Sequence, residues 1–143
     1  MPFQLPDATT SFGQRVARRL REEHIIWLTT VDSKGMPQPA PVWYWWDEEK
    51  QSLLIYSKAD AKREEHLRAN PRVSLNFDSD KGGGDIIVLT GKAEFSDDPP
   101  AYQHQAFVKK YHERIQRSFG TAENFAERYP VALRIQPLSV RGH

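Results

Sequence analysis

The sequence has no cysteine. That removes disulfides, thiolate nucleophiles and cysteine-based metal centres together, and it is compatible with a reducing cytosol. Long apolar runs are missing as well. The longest, around Ile25–Leu28 and Ile86–Leu89, fall far short of the roughly 20 residues a membrane helix needs. Met1 to Asp7 shows no basic stretch followed by an apolar core, so no secretory leader is expected there. Charge of one sign is also lacking. Lys and Arg number 20 against 19 Asp and Glu, a net charge of +1, so any anion site must be local. These absences predict a cytoplasmic protein with no general affinity for nucleic acid or membranes.

What is present fits one folded unit. A chain of 143 residues that is 38% hydrophobic and 27% charged predicts a single domain over residues 1–143. Phe12, Val16 and Leu20 recur every fourth residue, with Thr10 or Ser11 as a cap, which predicts a helix over about 11–23 with its arginines on the other faces. The barrel follows over about 25–137. Ile25 to Val31 reads as a strand, Asp32-Ser33-Lys34-Gly35 as a turn, and Pro37 to Trp46 as an antiparallel partner. Pro37, Pro39 and Pro41 alternate, so one side of that strand lacks N–H donors, and an edge or seam is expected there.

Further strands are expected at 53–57, 73–77, 86–89, 92–95 and 131–135, with Gly91 marking a bend or bulge. Helices are expected at 60–69, at 99–118 with Tyr102, Ala106, Phe107, Tyr111 and Ile115 on one face, and at 122–128. Seven short strands in consecutive hairpins, without regular βαβ alternation, predict a β-dominated α+β fold: an antiparallel barrel with peripheral helices.

Several chemistries find no support. The five histidines show no metal-ligand spacing, no Ser/His/Asp arrangement is recognisable, and the glycine-rich stretch 79–85 lacks the Gly-Lys-Ser/Thr ending of a phosphate-binding loop. That stretch reads as a flexible hairpin loop, placed near the mouth of a site. The one charged segment of interest runs from Lys58 to Arg72. It carries Lys58, Lys62, Arg63, Arg68 and Arg72 against Asp60, Glu64 and Glu65. Tyr56 and Ser57 end the preceding strand, and the helix that follows offers unpaired N–H groups to an anion. The plainer reading is a solvated helix face. In Trp43-Tyr44-Trp45-Trp46, alternation sends two side chains inward and two outward, and the outward pair needs a cover from a dimer partner or a ligand.

The segments "IIWLTTVDSKGMPQPAPVWYWW", "LLIYSKADAKREEHLRANPRVSLNFDSD", "GGGDIIVLTGKAEF" and "YPVALRIQPLSVRG" resemble the pyridoxamine-phosphate-oxidase-like split β-barrel superfamily. Within it, they are most similar to the deazaflavin (coenzyme F420)-dependent oxidoreductases. The resemblance implies an FMN-binding split-barrel type of fold and a homodimer with a cofactor groove at the subunit interface. It also implies hydride transfer between a reduced deazaflavin and an unsaturated small molecule. It places Pro41, Val42 and Trp43 against the cofactor ring, and Tyr56, Ser57, Lys62 and Arg63 at its phosphate. Counting back from Leu67, Arg63 falls at the family's usual lysine position, while Glu65 takes an arginine position and cannot bind a phosphate. The superfamily also contains FMN, haem and tetrapyrrole proteins. An FMN-dependent oxidase or reductase, or a non-catalytic flavin- or tetrapyrrole-binding protein, is therefore the alternative.

Overall fold

The structure, a computed structural model, describes residues 3–143. Helix α1 (Ser11–Glu22) begins where the Thr10 hydroxyl accepts the Gly13 N–H at 3.0 Å. Val16 and Leu20 are buried as the periodicity predicts, but so is Arg19. Its guanidinium donates to the carbonyls of Asp78 and Asp85, pairs with Glu23, and lies 4.9 Å from the Phe77 ring centroid. An arginine expected outward thus ties α1 to the loop before the sixth strand. The same loop closes on itself, with the Asp80 carboxylate accepting from the Gly82 and Gly84 N–H groups.

Strands β1 (Ile25–Val31) and β2 (Pro37–Trp43) form the expected hairpin. Its turn is held by the Asp32 carboxylate, which accepts the Lys34 and Met36 N–H groups, and by Gly35 at φ +79°. After β3 (Trp45–Asp47) and β4 (Ser52–Ser57) come α2 (Lys62–Ala69) and β5 (Arg72–Asn76). Strand β6 (Ile87–Phe95) leads through a short 3-10 turn, Ala101–Gln103, into α3 (Gln105–Phe119) and α4 (Ala122–Arg128), and β7 (Val131–Gly142) follows. All pairs are antiparallel, in the order β2-β1-β5-β6-β7-β4-β3. The fold is a seven-stranded half-barrel sheet with four helices.

The strand count matches the expectation, but three boundaries do not. Residues 37–46 break at Tyr44 into two strands. Segments 86–89 and 92–95 are one strand with a register shift at Thr90/Gly91. A Cβ on Gly91 would lie 2.8 Å from Ile135 Cγ2 and 2.9 Å from the Gln136 carbonyl, which explains the glycine. The last strand runs to Gly142, because its second half pairs with the start of β6. Helix α3 starts later than expected, and Tyr102 and Ala106 are exposed; its buried face is Phe107, Tyr111 and Ile115.

The two edges of the sheet, β2 and β3, are joined by the single residue Tyr44, so the sheet is rolled until its ends nearly meet. Tyr44 and Trp46 point into the barrel with Leu53 and Ile55. Trp43 and Trp45 point out, against a second cluster formed by Leu54, Tyr56 and the helices α3 and α4. The outward tryptophans are covered by the chain's own helices. As expected, β2 is an edge, and its prolines face Val31, Thr29 and Trp27 in pairs that need no N–H from them.

The Tyr44 corner is held from α3. The Tyr111 hydroxyl accepts the Tyr44 N–H at 2.8 Å and lies 2.7 Å from the carbonyls of both Tyr44 and His24, to one of which it donates. Lys110 Nζ donates to the Tyr44 carbonyl at 2.9 Å and sits 3.8 Å from the Tyr44 ring centroid. Burial pushes the Lys110 ammonium down to about 8, against the pull of Glu23. The folded chain thus holds the charge less favourably than the unfolded chain does, so the cost of that charge is present below about pH 8 and vanishes as pH rises past the ordinary lysine range. Lys110→Met is expected to be the more stable protein at pH 7. The gain is about 1 kcal/mol, discounted for the part of the side chain that solvent reaches. Urea midpoints should show the gap closing by about pH 10.5; a constant gap would mean that packing, not charge, separates the two.

Candidate functional site

Between the end of β2 and the end of β4 the half-barrel leaves a groove of about 480 Å³. Its walls are Pro41, Val42 and Trp43 from β2, Tyr56 and Ser57 from β4, Lys58, Ala61 and Arg63 at the start of α2, and Ser118, Phe119, Phe125 and Tyr129 from the α3–α4 region. Six of the seven residues expected at a cofactor site therefore line one cavity: Pro41, Val42, Trp43, Tyr56, Ser57 and Arg63. The seventh, Lys62, is exposed and lies outside the lining. The glycine-rich loop expected at its mouth also does not line it.

Local folding brings the polar groups together. Ser57 is the last paired residue of β4, opposite Val131, and its side chain is buried. Helix α2 starts five residues later without a side-chain cap, because Ala61 stands at its N-cap. Arg63, the second residue of the helix, reaches back so that Nη1 donates to Ser57 Oγ at 3.0 Å. Burial lowers the Arg63 pKa, opposed by Tyr129. Among the described residues, Arg63 makes no ion pair. The groove contains two cationic side chains, Lys58 and Arg63, and no Asp or Glu. Glu65 is exposed and off the groove, so the family departure noted in the sequence adds no negative charge to it.

The aromatic wall is a column of parallel rings. Tyr111 stacks on Trp43 at 4.5 Å and 2°, Trp43 on Phe125 at 5.3 Å and 11°, and Phe125 on Tyr129 at 4.8 Å and 14°. Lysines cap both ends, Lys58 Nζ 5.6 Å from the Tyr129 centroid and Lys110 Nζ 5.4 Å from that of Tyr111. Tyr56 has its hydroxyl committed to the Pro99 carbonyl at 2.8 Å, and burial pushes its pKa up to about 12. It shapes the groove and is not poised to exchange a proton near neutral pH. Phe119, Phe125 and Tyr129 were not foreseen from the sequence. They lie more than 60 residues from Val42 in the chain, and no local pattern links them to it.

Among the described residues no group of three or more His, Cys, Asp or Glu side chains could hold a metal ion. No helix among them is long and apolar enough to cross a membrane.

A family model described as pyridoxamine 5'-phosphate oxidase matches residues 12–143. No curated protein matches the sequence. Among solved structures, an F420 reductase superposes with a TM-score of 0.68 at 19% identity, covering 87% of this chain and 94% of its own. The heme storage protein HutZ of Vibrio cholerae gives 0.64 at 14% identity, covering 93% and 95%. A FAD-binding protein of Mesorhizobium loti gives 0.63 at 21% identity, covering 89% and 88%. At these identities the likeness shows the fold alone, and the three are named for different ligands.

Proposed function

Because this chain belongs to the pyridoxamine 5'-phosphate oxidase family, with its split-barrel fold, we propose that the groove holds a flavin-type cofactor, coenzyme F420 first and FMN as the alternative, in an oxidoreductase acting on a small unsaturated molecule. The observation that carries this reading is Arg63. A half-buried guanidinium, bonded to a neutral hydroxyl and lining a groove without carboxylates, complements a phosphate. The uncapped N–H groups of α2 add to the same field.

The β2 edge supports a flat heterocycle. The register turns the backbone groups of Pro41 and Trp43 away from β1, Pro41 with a carbonyl alone and Trp43 with both N–H and C=O. An acceptor beside a donor complements the N–H and C=O of the imide edge of a flavin or deazaflavin. The cofactor, when bound, supplies hydride transfer. The chain's own contribution is to hold the anion at Ser57 and Arg63, present the β2 edge to the ring, and exclude water with the aromatic wall. No side chain is assigned an acid–base role. A homodimer belongs to this reading. It is favoured by an apolar trough of about 580 Å³ on the sheet, lined by Val31, Pro37, Val73 and the exposed Leu138.

Titrating F420 and FMN separately into the purified protein tests the proposal. Micromolar or tighter binding of F420, with FMN weaker, is expected. Binding of FMN with none of F420 would replace the leading cofactor by the alternative, and binding of neither would overturn the flavin reading.

A further inference from the structure

The ladder between β1 and β2 ends on a side chain. Pro37, Pro39 and Pro41 set its alternation, so Trp43 and Ile25 face each other without exchanging hydrogen bonds. By that register the next pair, Tyr44 opposite His24, would carry bonds, with the Tyr44 N–H donating to the His24 carbonyl. The Tyr111 hydroxyl stands between them instead. It accepts that N–H at 2.8 Å and lies 2.7 Å from that carbonyl. The phenol is a wedge in the last rung, and the chain turns there from β2 into β3.

Helix α3 bends at this residue, where φ −108° and ψ 15° leave helical values. The buried ring below the hydroxyl stacks on Trp43 at 4.5 Å and 2°. Burial pushes the phenol pKa up, so across the neutral range it keeps one proton to donate and lone pairs to accept with. The consequence lies on the other side of the peptide unit. The Tyr44 N–H and the Trp43 C=O belong to one planar trans unit and point in opposite directions. Holding the N–H therefore aims the carbonyl away from β1, at the edge where Trp43 lines the groove. An acceptor on the N–H also polarises the unit and makes that carbonyl a better acceptor itself.

We infer that Tyr111 is a positioning residue for ring recognition. By holding the Trp43–Tyr44 peptide it presents the Trp43 carbonyl to the imide N–H of a bound flavin or deazaflavin. The inference rests on the flavin-type reading of the groove. The probes are FMN and FMN methylated at its imide nitrogen, or F420 and its imide-methylated form where FMN does not bind. The intact protein is expected to bind the parent ligand at least about tenfold more tightly than the methylated one, which has no N–H to donate. Tyr111→Phe keeps the stack on Trp43 and loses the hydroxyl. It should bind the parent ligand about five- to tenfold more weakly, and the methylated one within about twofold of the intact protein. Equal losses for both ligands would make the hydroxyl merely structural and overturn the inference, as would no loss for either. If no flavin or deazaflavin binds the intact protein, the flavin reading fails by itself, and hydrogen exchange at the Tyr44 amide decides the positioning. Exchange that Tyr111→Phe speeds at least about tenfold more at Tyr44 than at the amides of β4 supports it; acceleration no greater than theirs overturns it. If Tyr111→Phe does not fold, the intact protein decides. Its preference for the parent ligand together with a slowly exchanging Tyr44 amide upholds the inference, and the lack of either overturns it.

Discussion

Arg63→Ala is expected to weaken cofactor binding by roughly 10- to 100-fold, the worth of about 1.5–3 kcal/mol for a charge-assisted hydrogen bond. Lys62→Ala should leave affinity within about twofold, since that side chain is exposed and outside the groove. The pair separates a site residue from a neighbour that sequence alone could not tell apart from it. Arg63 also has a predictable effect on the fold. Its guanidinium is half-buried without a counter-charge, so Arg63→Met should unfold no more easily than the parent and should keep the apolar contacts of the stem. Binding titrations beside urea unfolding read both effects. Equal losses of affinity in the Lys62 and Arg63 variants would place the phosphate elsewhere; a large loss of stability in Arg63→Met would make the residue structural.

Arg134→Ala is expected to cost the fold about 3–5 kcal/mol, the scale for removing one partner of a buried ion pair. Arg134 on β7 bonds Asp98 through Nε and Nη2 at 2.8 and 2.7 Å, and Asp47 and Ser52 through Nη1 at 2.8 and 3.0 Å. The three charged side chains are only 9–12% exposed. One guanidinium thus pins the end of β3, the middle of β7 and the loop after β6. Its hydrogen bonds hold the Asp98 carboxyl down to about 2 despite burial, with Ser96 helping. Burial pushes Asp47 up, but the Lys50 N–H and Arg134 outweigh it and leave its pKa below the ordinary value. A depressed carboxyl pKa stabilises the fold above the unfolded value near 4 and ceases to do so as pH falls through about 2. The parent should therefore lose stability between pH 4 and 2. Arg134→Ala should lose less over that range, because protonation relieves its stranded carboxylates. Urea midpoints at pH 7 and across that acid range would show the difference between the proteins shrinking; a difference that grows would contradict this account of the charges.

The features legible in the sequence are those set by near neighbours. Asp32 to Gly35 announces its turn, alternating prolines announce an edge, and Gly91 announces a bulge. Ser57 and Arg63 fall together because a strand end and a helix start are only five residues apart. Long-range partners were not legible. Residues 137–142, bounded by a proline and a glycine, look like a tail, yet pairing with β6 makes them strand. The outward pair of the Trp43–Trp46 run reads as needing a dimer partner or a ligand, because nothing local says that α3 and α4 fold back over Trp43 and Trp45. The aromatic half of the groove was missed for the same reason: Phe119 and Tyr129 become neighbours of Trp43 only through the packing of that helical pair.

Strand β7 comes last among the strands in chain order, yet it lies inside the sheet between β6 and β4. Until it arrives, the chain holds two pieces, β2-β1-β5-β6 and β3-β4, linked covalently at Tyr44 but with no hydrogen-bonded seam between them. One wall of the groove belongs to each piece. The sheet that carries both walls is therefore continuous only once residues 131–142 are in place. A ligand that bridges the two walls stabilises, by mass action, the barrel that this last strand closes.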